Sequence, residues 1–233
     1  MQVVILAGGF GTRLGSLAAG LPKAMVDINE KPFLEHQLAL LSDRGIKDIV
    51  LCVGHLAERI EQYFGDGRRF GVRIRYSMEK GSLLGTAGAV KQADPLLDDV
   101  FFLTYADSYL RMDYKASFKA LSCSRQLGLM VIFRNEDRYE RSNVVVEDGL
   151  ISAYDKVNKL PGMNYINFGV SVLRKEALAL VPEGLPYSQE EWYQALIKNR
   201  GLGAFETTER FYEIGSPEGL AEFRRLAGAE VLP

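Results

Sequence analysis

A glycine-rich loop stands directly behind the first apolar run of this chain. The run Val3–Ala7 is short and continuously apolar, which is typical of a parallel strand buried on both faces. Residues 6–14 then read LAGGFGTRL, and residues 22–25 read PKAM. Glycines let the backbone approach a phosphate closely, and successive backbone N–H groups form an anion-binding concavity. Because Arg13 and Lys23 add positive charge, the N-terminus predicts a phosphate-binding loop at a strand end.

Two better-known glycine loops do not fit this stretch. A dinucleotide-binding fingerprint needs a third glycine, but the GFG of residues 9–11 is followed by TRL at residues 12–14. A P-loop needs Lys followed by Ser or Thr after its last glycine, and Gly11 is followed by Thr-Arg. A purely structural turn requires neither an arginine nor a Pro-Lys pair behind it. A phosphate-binding loop of another kind is therefore the favoured interpretation.

Strands and helices alternate through the first half of the chain. Apolar or alternating runs predict strands at Val3–Ala7, Asp48–Val53, Val72–Tyr76 and Val100–Leu103. Periodic apolar positions predict helices from Pro32 to Gly45, at Leu56–Phe64 and at Thr86–Ala93. Such βαβ units predict an α/β fold built on a mixed, mainly parallel sheet.

The second half has shorter connections, which predict some antiparallel pairing. Its predicted strands are Leu127–Phe133, Asn143–Val146, Leu150–Tyr154, Ile166–Leu173, Leu202–Phe205 and Arg210–Ile214. Its predicted helices are Glu176–Val181, Gln189–Lys198 and Glu218–Ala227. No linker separates the halves, so we expect a single domain over residues 1–233. Trp192, Tyr193 and Leu196 share one helix face, which we expect to pack in the core or in a homodimer.

Composition excludes several classes of protein. The formal charge of −2 argues against a nucleic-acid binder, which is usually basic. The apolar run at the N-terminus is too short for a signal peptide or a membrane span, so we expect no membrane partner. The two cysteines, Cys52 and Cys123, lack the spacing of a zinc site or a disulfide framework. A reducing cytoplasm is therefore the expected location.

The pair of motifs GGFGTRL and PKAM resembles the signature of the sugar-1-phosphate nucleotidyltransferases. The resemblance implies a Rossmann-like, three-layer fold of the glycosyltransferase-A type, with a nucleotide-binding half over about residues 1–110 and a sugar-phosphate half over about 111–233. It implies that NTP and a sugar 1-phosphate give an NDP-sugar and pyrophosphate, with Mg²⁺. Arg13 and Lys23 are the implied catalytic residues. The implied nucleotide contacts in this loop are Leu6, Ala7, Gly8, Gly9, Gly11, Thr12 and Arg13.

A second loop, EKGSLLGTAGA at residues 79–89, resembles the other nucleotide loop of the family. The resemblance implies that Glu79, Gly85 and Thr86 contact the nucleotide. A proline that often precedes the Leu-Gly-Thr of this loop is missing here. A carboxylate at the base could accept from the N1–H and the exocyclic amine of guanine, whereas uracil or thymine suits an amide better. Glu79 therefore favours GTP only slightly.

Two acidic residues far apart in the chain are candidate metal ligands. Asp107 ends an apolar strand, where a hard cation that bridges phosphates is expected to bind. FYEIGSP, at residues 211–217, resembles the family's second acidic motif, with Glu213 in place of the usual Asp. The resemblance implies that Asp107, which also contacts the nucleotide, and Glu213 share the Mg²⁺.

Four further residues match the family's sugar-phosphate contacts. Asp155 and Lys156 resemble a Glu-Lys pair at this site, and Lys156 can pair with the incoming phosphate. Asn167 and Gly169 resemble a strand motif whose Asn binds sugar hydroxyls, which an amide suits as both donor and acceptor. Two other functions stay open. One is uridylyl, thymidylyl or cytidylyl transfer to another sugar phosphate or a small alcohol phosphate, and the other is a non-catalytic relative that binds nucleotide sugars.

Overall fold

The computed structural model of the chain describes residues 1–9, 20–79 and 83–229. The strands are β1 Gln2–Leu6, β2 Asp27–Ile28, β3 Lys31–Pro32, β4 Asp48–Val53, β5 Arg73–Met78, β6 Val100–Tyr105, β7 Ser108–Leu110, β8 Gly128–Arg134, β9 Val144–Glu147, β10 Leu150–Tyr154, β11 Tyr165–Arg174, β12 Leu202–Thr207 and β13 Phe211–Glu213. The α-helices are α1 Phe33–Asp43, α2 Ala57–Phe64, α3 Gly85–Gln92, α4 Tyr114–Ser122, α5 Gln189–Lys198 and α6 Pro217–Gly228.

In the described part of the chain, a sheet of nine strands draws on both halves, in the order β5-β4-β1-β6-β11-β8-β12-β10-β9. The first-half strands β5, β4, β1 and β6 are all parallel to one another. In the second half β12 is parallel to β8, while β11 is antiparallel to both β6 and β8. Parallel pairs thus occupy the half that carries the glycine loop, and the mixed sheet predicted from the sequence is present.

The two faces of the sheet are covered by separate apolar clusters, which is why β1 is apolar at every internal position. Val3 and Ile5 pack with α1, α2 and α4 on one face, whereas Val4 packs with α3 and α5 on the other. Each of these three side chains is fully buried. The face of α5 that carries Trp192, Tyr193 and Leu196 belongs to the second cluster. Of the two expectations for this face, packing in the core is therefore the one confirmed.

The last helix closes the fold against the first. Ser216 caps α6 by accepting a hydrogen bond of 3.0 Å from the N–H of Gly219, and Pro217 occupies the first helical turn. Phe223 of α6 packs edge-on against Phe33 of α1 at 4.9 Å between ring centroids. Helices α1 and α6 therefore contribute to one small apolar cluster.

Some elements differ from the sequence expectations. The predicted helix 176–181 is a 3-10 helix, Lys175–Leu180. Helix α4 and strand β7 were not predicted, and β7 pairs in antiparallel fashion with β13 apart from the main sheet. Strand β6 continues two residues beyond its predicted end, to Tyr105. Among the described residues, no helix combines the length and apolar character that crossing a membrane requires.

Candidate active site

A cavity of about 340 Å³ opens beyond the carboxyl ends of β1 and β6, at one side of α3. This is where ligands bind in sheets of this kind. The residues that line it come from the glycine loop, the strand ends and the start of α3: Leu6, Ala7, Gly8, Gly9, Lys23, Ala24, Cys52, Glu79, Leu83, Gly85, Thr86, Ala89, Tyr105, Ala106 and Asp107. Most of the predicted nucleotide-binding residues therefore lie together.

The first four residues of the predicted loop form one wall of the cavity. The N–H of Ala7 continues the strand ladder by donating to the carbonyl oxygen of Cys52 at 2.8 Å. A Cβ atom on Gly8 would lie 2.9 Å from Oε2 of Glu79 and 3.4 Å from the backbone nitrogen of Gly54. A side chain at position 8 would therefore have to displace the Glu79 carboxylate, because three segments meet there. Gly11, Thr12 and Arg13 lie outside the described residues.

Glu79 lies beside Gly8 and also lines the cavity. Its N–H donates to the carbonyl oxygen of Val53 at 3.0 Å, which fixes the residue to the end of β4. Oε1 accepts a hydrogen bond of 2.7 Å from the N–H of Leu84, while Oε2 lies beside Gly8. Burial raises the pKa of Glu79, and the hydrogen bond from Leu84 opposes that rise. The carboxylate is therefore held in place and only partly solvated.

Lys23 and Asp107 form an ion pair at the end of the cavity nearest to β6. Nζ of Lys23 lies 2.9 Å from Oδ2 of Asp107, and the two side chains are only 16% and 19% exposed. Gln37 of α1 supports the turn that carries Asp107, because its Nε2 donates at 2.9 Å to the carbonyl oxygens of both Tyr105 and Ser108. A cation and a carboxylate are thus fixed side by side at the cavity.

Glu213 approaches Asp107 through the main chain rather than through its carboxylate. The N–H of Ile214 donates to the carbonyl oxygen of Asp107 at 2.9 Å, and Glu213 is the register partner of Ser108. Its carboxylate instead accepts from the N–H of Gly215 at 2.5 Å and from the Ser216 hydroxyl at 2.9 Å. Within the described ranges no three His, Cys, Asp or Glu side chains converge as a metal site.

A bulge in β11 presents the predicted sugar-binding residues Asn167 and Gly169. The register with β8 slips between Asn167 and Ser171, and Gly169 adopts a φ of +95°. Oδ1 of Asn167 accepts from the N–H of Gly169 at 2.9 Å, whereas its Nδ2 has only a long contact of 3.5 Å with the Tyr154 hydroxyl. The amide donor of Asn167 is therefore loosely engaged.

Asp155 and Lys156 follow β10 at an exposed turn. Oδ1 of Asp155 accepts from the N–H groups of Val157 and Asn158 at 2.7 and 2.8 Å. The hydrogen bonds from the backbone and side chain of Asn158 lower the pKa of Asp155 most, and the one from the backbone of Val157 adds to them. Nζ of Lys156 lies 5.9 Å from the centroid of the Tyr154 ring. The structure therefore gives Asp155 a role in shaping the turn, and it leaves Lys156 exposed to solvent.

The sequence analysis did not identify Tyr105 and Gln189. Tyr105 lines the cavity, and its hydroxyl donates a hydrogen bond to the side chain of Gln189. Tyr105 lies beyond the predicted end of its strand, and Gln189 starts a helix 84 positions further along the chain. Cys52 of β4 also lines the cavity, and it is 1% exposed. Burial raises the pKa of Cys52 to about 12, so this thiol is not a nucleophile at neutral pH.

The sequence model of the family described as Nucleotidyl transferase matches residues 2–180. The chain belongs to this family. It is 35% identical to D-glycero-alpha-D-manno-heptose 1-phosphate guanylyltransferase of Campylobacter jejuni, over 96% of this chain and 98% of the relative. It is 29% identical to a mannose-1-phosphate guanyltransferase of Neurospora crassa, over 94% of this chain but only 62% of that longer protein.

A solved structure of HddC from Yersinia pseudotuberculosis, in complex with GMP-PN, has the same fold. Its TM-score to this nucleotidyltransferase is 0.80 at 30% identity, and the match covers 96% of this chain and 98% of that one. The predicted family, fold class and enzyme class are therefore confirmed. So is the predicted reaction class, in which an NTP and a sugar 1-phosphate give an NDP-sugar and pyrophosphate.

Proposed function

We propose that this nucleotidyltransferase joins GTP to a heptose or mannose 1-phosphate, giving a GDP-sugar and pyrophosphate. The observation that carries the choice of base is the position of Glu79 in the lining of the cavity, with its carboxylate against Gly8. A carboxylate accepts from both the N1–H and the exocyclic amine of guanine, whereas thymine and uracil offer one ring N–H. The guanylyltransferases among the relatives support the same choice.

The transfer itself needs no nucleophilic side chain. An oxygen of the sugar phosphate attacks the α-phosphorus of GTP in line, the new P–O bond forms, and the bond to the β-phosphate breaks to release pyrophosphate. Two anions must be brought together, so the protein contributes position and positive charge. In the proposed arrangement Lys23 neutralises the α-phosphate, Arg13 the triphosphate and Lys156 the incoming sugar phosphate. The presence of Lys23 at the cavity supports its proposed role.

Asp107 and Glu213 are the proposed holders of Mg²⁺. The Asp107 carboxylate lines the cavity and offers hard oxygen atoms, which fit this ion. The fit of Glu213 is indirect, because its main chain adjoins Asp107 while its carboxylate binds Gly215 and Ser216. When bound, Mg²⁺ would neutralise phosphate charge. Lys23 must then leave Asp107 for the phosphates, which its flexible side chain allows.

The sugar-phosphate side is proposed for the exposed end of β10 and the bulge of β11. The loosely engaged Nδ2 of Asn167 is available to a sugar hydroxyl, and Gly169 adjoins it in the bulge. Lys156 is exposed and can reach a phosphate. Asp155 supports this side by holding the turn that carries Lys156.

The proposal is tested by measuring pyrophosphate release with GTP, UTP, CTP and dTTP against a panel of phosphates. The panel contains heptose, mannose and glucose 1-phosphates, together with phosphocholine as a small alcohol phosphate. We expect turnover with GTP and a heptose or mannose 1-phosphate. Turnover only with phosphocholine and CTP would favour the cytidylyltransferase alternative. Tight binding of nucleotide sugars without any pyrophosphate release would favour the non-catalytic alternative.

A further inference from the structure

A buried chain of hydrogen bonds runs from the cavity wall into α5, with Gln189 at its centre. The hydroxyl of Tyr105 donates to Oε1 of Gln189, and Nε2 of Gln189 donates to the hydroxyl of Tyr193. The Tyr193 hydroxyl shares a further hydrogen bond of 2.7 Å with Oγ of Ser171. Gln189, Tyr193 and Ser171 are buried, whereas Tyr105 lines the cavity. Gln189 therefore joins a residue of the cavity to the interior of the fold.

The backbone around Gln189 is fixed to the start of α3. The carbonyl oxygen of Tyr187 accepts from the N–H groups of Ala87 and Gly88 at 3.0 and 3.1 Å. The N–H of Gln189 donates to Oγ1 of Thr86 at 2.6 Å. Thr86 itself lines the cavity. Because these bonds use backbone groups of the α5 segment, they persist when the side chain of Gln189 is changed.

Tyr105 depends on Gln189 for the position of its hydroxyl. The phenol hydroxyl is a hydrogen-bond donor at neutral pH, and the acceptor that it uses is Oε1 of Gln189. A buried hydroxyl that loses its partner turns toward water or another polar group. Tyr105 lines the cavity, so the cavity is open space into which a released hydroxyl can turn, and it is also the proposed nucleotide site.

We propose that Gln189 is a positioning residue, which holds the Tyr105 hydroxyl away from the cavity and so keeps the wall between Thr86 and Asp107 shaped for the nucleotide. The proposal rests on the proposed nucleotide site. It assigns a role in substrate binding to the first turn of α5, far along the chain from both glycine loops. Gln189 acts through Tyr105 and does not itself contact the nucleotide.

The test compares GTP binding by the full chain with that of Gln189→Met, using isothermal titration calorimetry. Methionine keeps the length of the side chain but offers the tyrosine hydroxyls no comparable partner. We expect the Kd for GTP to rise about tenfold, as for one unsatisfied buried hydroxyl. The KM for GTP should rise in step, while kcat at saturating GTP changes by less than about threefold. The matched control is Ser171→Ala, which breaks the same network on the side away from the cavity and should leave the Kd unchanged.

A double-mutant cycle separates this role from a general loss of stability. In a Tyr105→Phe background there is no hydroxyl to hold, so adding Gln189→Met should change the Kd by less than about twofold. An equal loss of affinity in both backgrounds would overturn the proposal, and so would wild-type affinity in the single variant. If Gln189→Met fails to fold, Gln189→Leu replaces it under the same criteria. Absence of GTP binding by the unmodified chain would instead overturn the proposed function, and this inference with it.

Discussion

Lys23 and Asp107 lie 84 positions apart in the sequence, yet Nζ of one is 2.9 Å from Oδ2 of the other. The pair joins the end of the glycine-loop region to the carboxyl end of β6. Without substrate, each side chain neutralises the other. With nucleotide, the two charges would separate in the proposed mechanism, since Lys23 would move to the phosphates and the Asp107 carboxylate would hold the Mg²⁺. Pairing therefore lowers the free-energy cost of burying the Lys23 ammonium and the Asp107 carboxylate at the cavity before substrate binds.

Removal of either charge should abolish most of the activity. We expect Lys23→Ala and Asp107→Ala each to reduce kcat by at least about a hundredfold, because each removes charge stabilisation at the transferring phosphate. Circular dichroism should show an intact fold, since both side chains lie at the cavity rather than in the core. Lys31→Ala is the control, because its ion pair with Glu35 is exposed. Near-normal turnover in either cavity variant would contradict the assignment.

Glu79→Gln should weaken the preference for guanine. The amide can accept only one of the two guanine hydrogen bonds and presents an N–H₂ group to the other, so kcat/KM with GTP should fall about tenfold to a hundredfold. The same variant should gain relative activity with dTTP or UTP, whose ring N–H and carbonyl groups match an amide. Glu58→Gln, on the exposed side of α2, is the control. Unchanged selectivity among the NTPs would remove Glu79 from base recognition.

Asp48 should make the stability of the chain depend on acid pH. Burial acts to raise the pKa of Asp48, but hydrogen bonds from Arg73 and Arg75 outweigh it, and the pKa lies below the usual value of 3.8. The stabilisation is therefore complete above the usual value and is lost as the pH falls through the lowered one. Asp48→Asn should cost about 1 kcal/mol near neutrality, because Arg73 is largely exposed.

The measurement for Asp48 is urea unfolding followed by circular dichroism over a series of pH values. The difference in free energy of unfolding between the two proteins should shrink as the pH drops below 3.8. A constant difference at every pH would show that the two arginines do not stabilise the carboxylate. Asp66→Asn is the control, since its ion pair with Arg68 is exposed.

Cys52 should resist alkylation in the folded chain even though it lines the cavity. Its pKa is raised to about 12, so almost no thiolate forms near pH 8.5, where ordinary thiols are about half ionised. Cys123 is exposed and should react. Mass spectrometry after iodoacetamide treatment should find the adduct on Cys123 alone in buffer, and on both cysteines in urea. Modification of Cys52 in the native protein would contradict its burial.

The parts of the fold that the sequence predicts well are those with local causes. Asp48–Val53 and Leu150–Tyr154 have the bounds predicted for them, and so does helix Gln189–Lys198, which a capping box at Ser188 begins. The nucleotide loops were predicted because glycines and charges stand together in short motifs. Helix α4 was missed although Asp113 caps it, accepting from the N–H of Ala116 at 2.9 Å.

The parts that the sequence does not predict depend on contacts between distant segments. The ladder of β7 with β13 brings Glu213 beside Ser108, but a sequence pattern gives no register between such short strands. The same holds for the side chain of Glu213, whose partners are set by the turn before α6. The role of Gln189 was not predicted either, because its hydrogen-bond partners Tyr105 and Thr86 are distant from it in the sequence.

The closure of α6 against α1 has a consequence for how the protein is made. The guanidinium of Arg224 donates to the carbonyl oxygen of Asp27 at 3.0 Å, across 197 positions of the chain, and Phe223 completes the burial of Phe33. During synthesis the ribosome must therefore release the chain as far as α6 before the first helix finds this partner. Contacts of such long range form late. Until β13 and the residue behind it have been synthesised, the turn at Asp107 stands without the hydrogen bond that the N–H of Ile214 donates to its carbonyl oxygen.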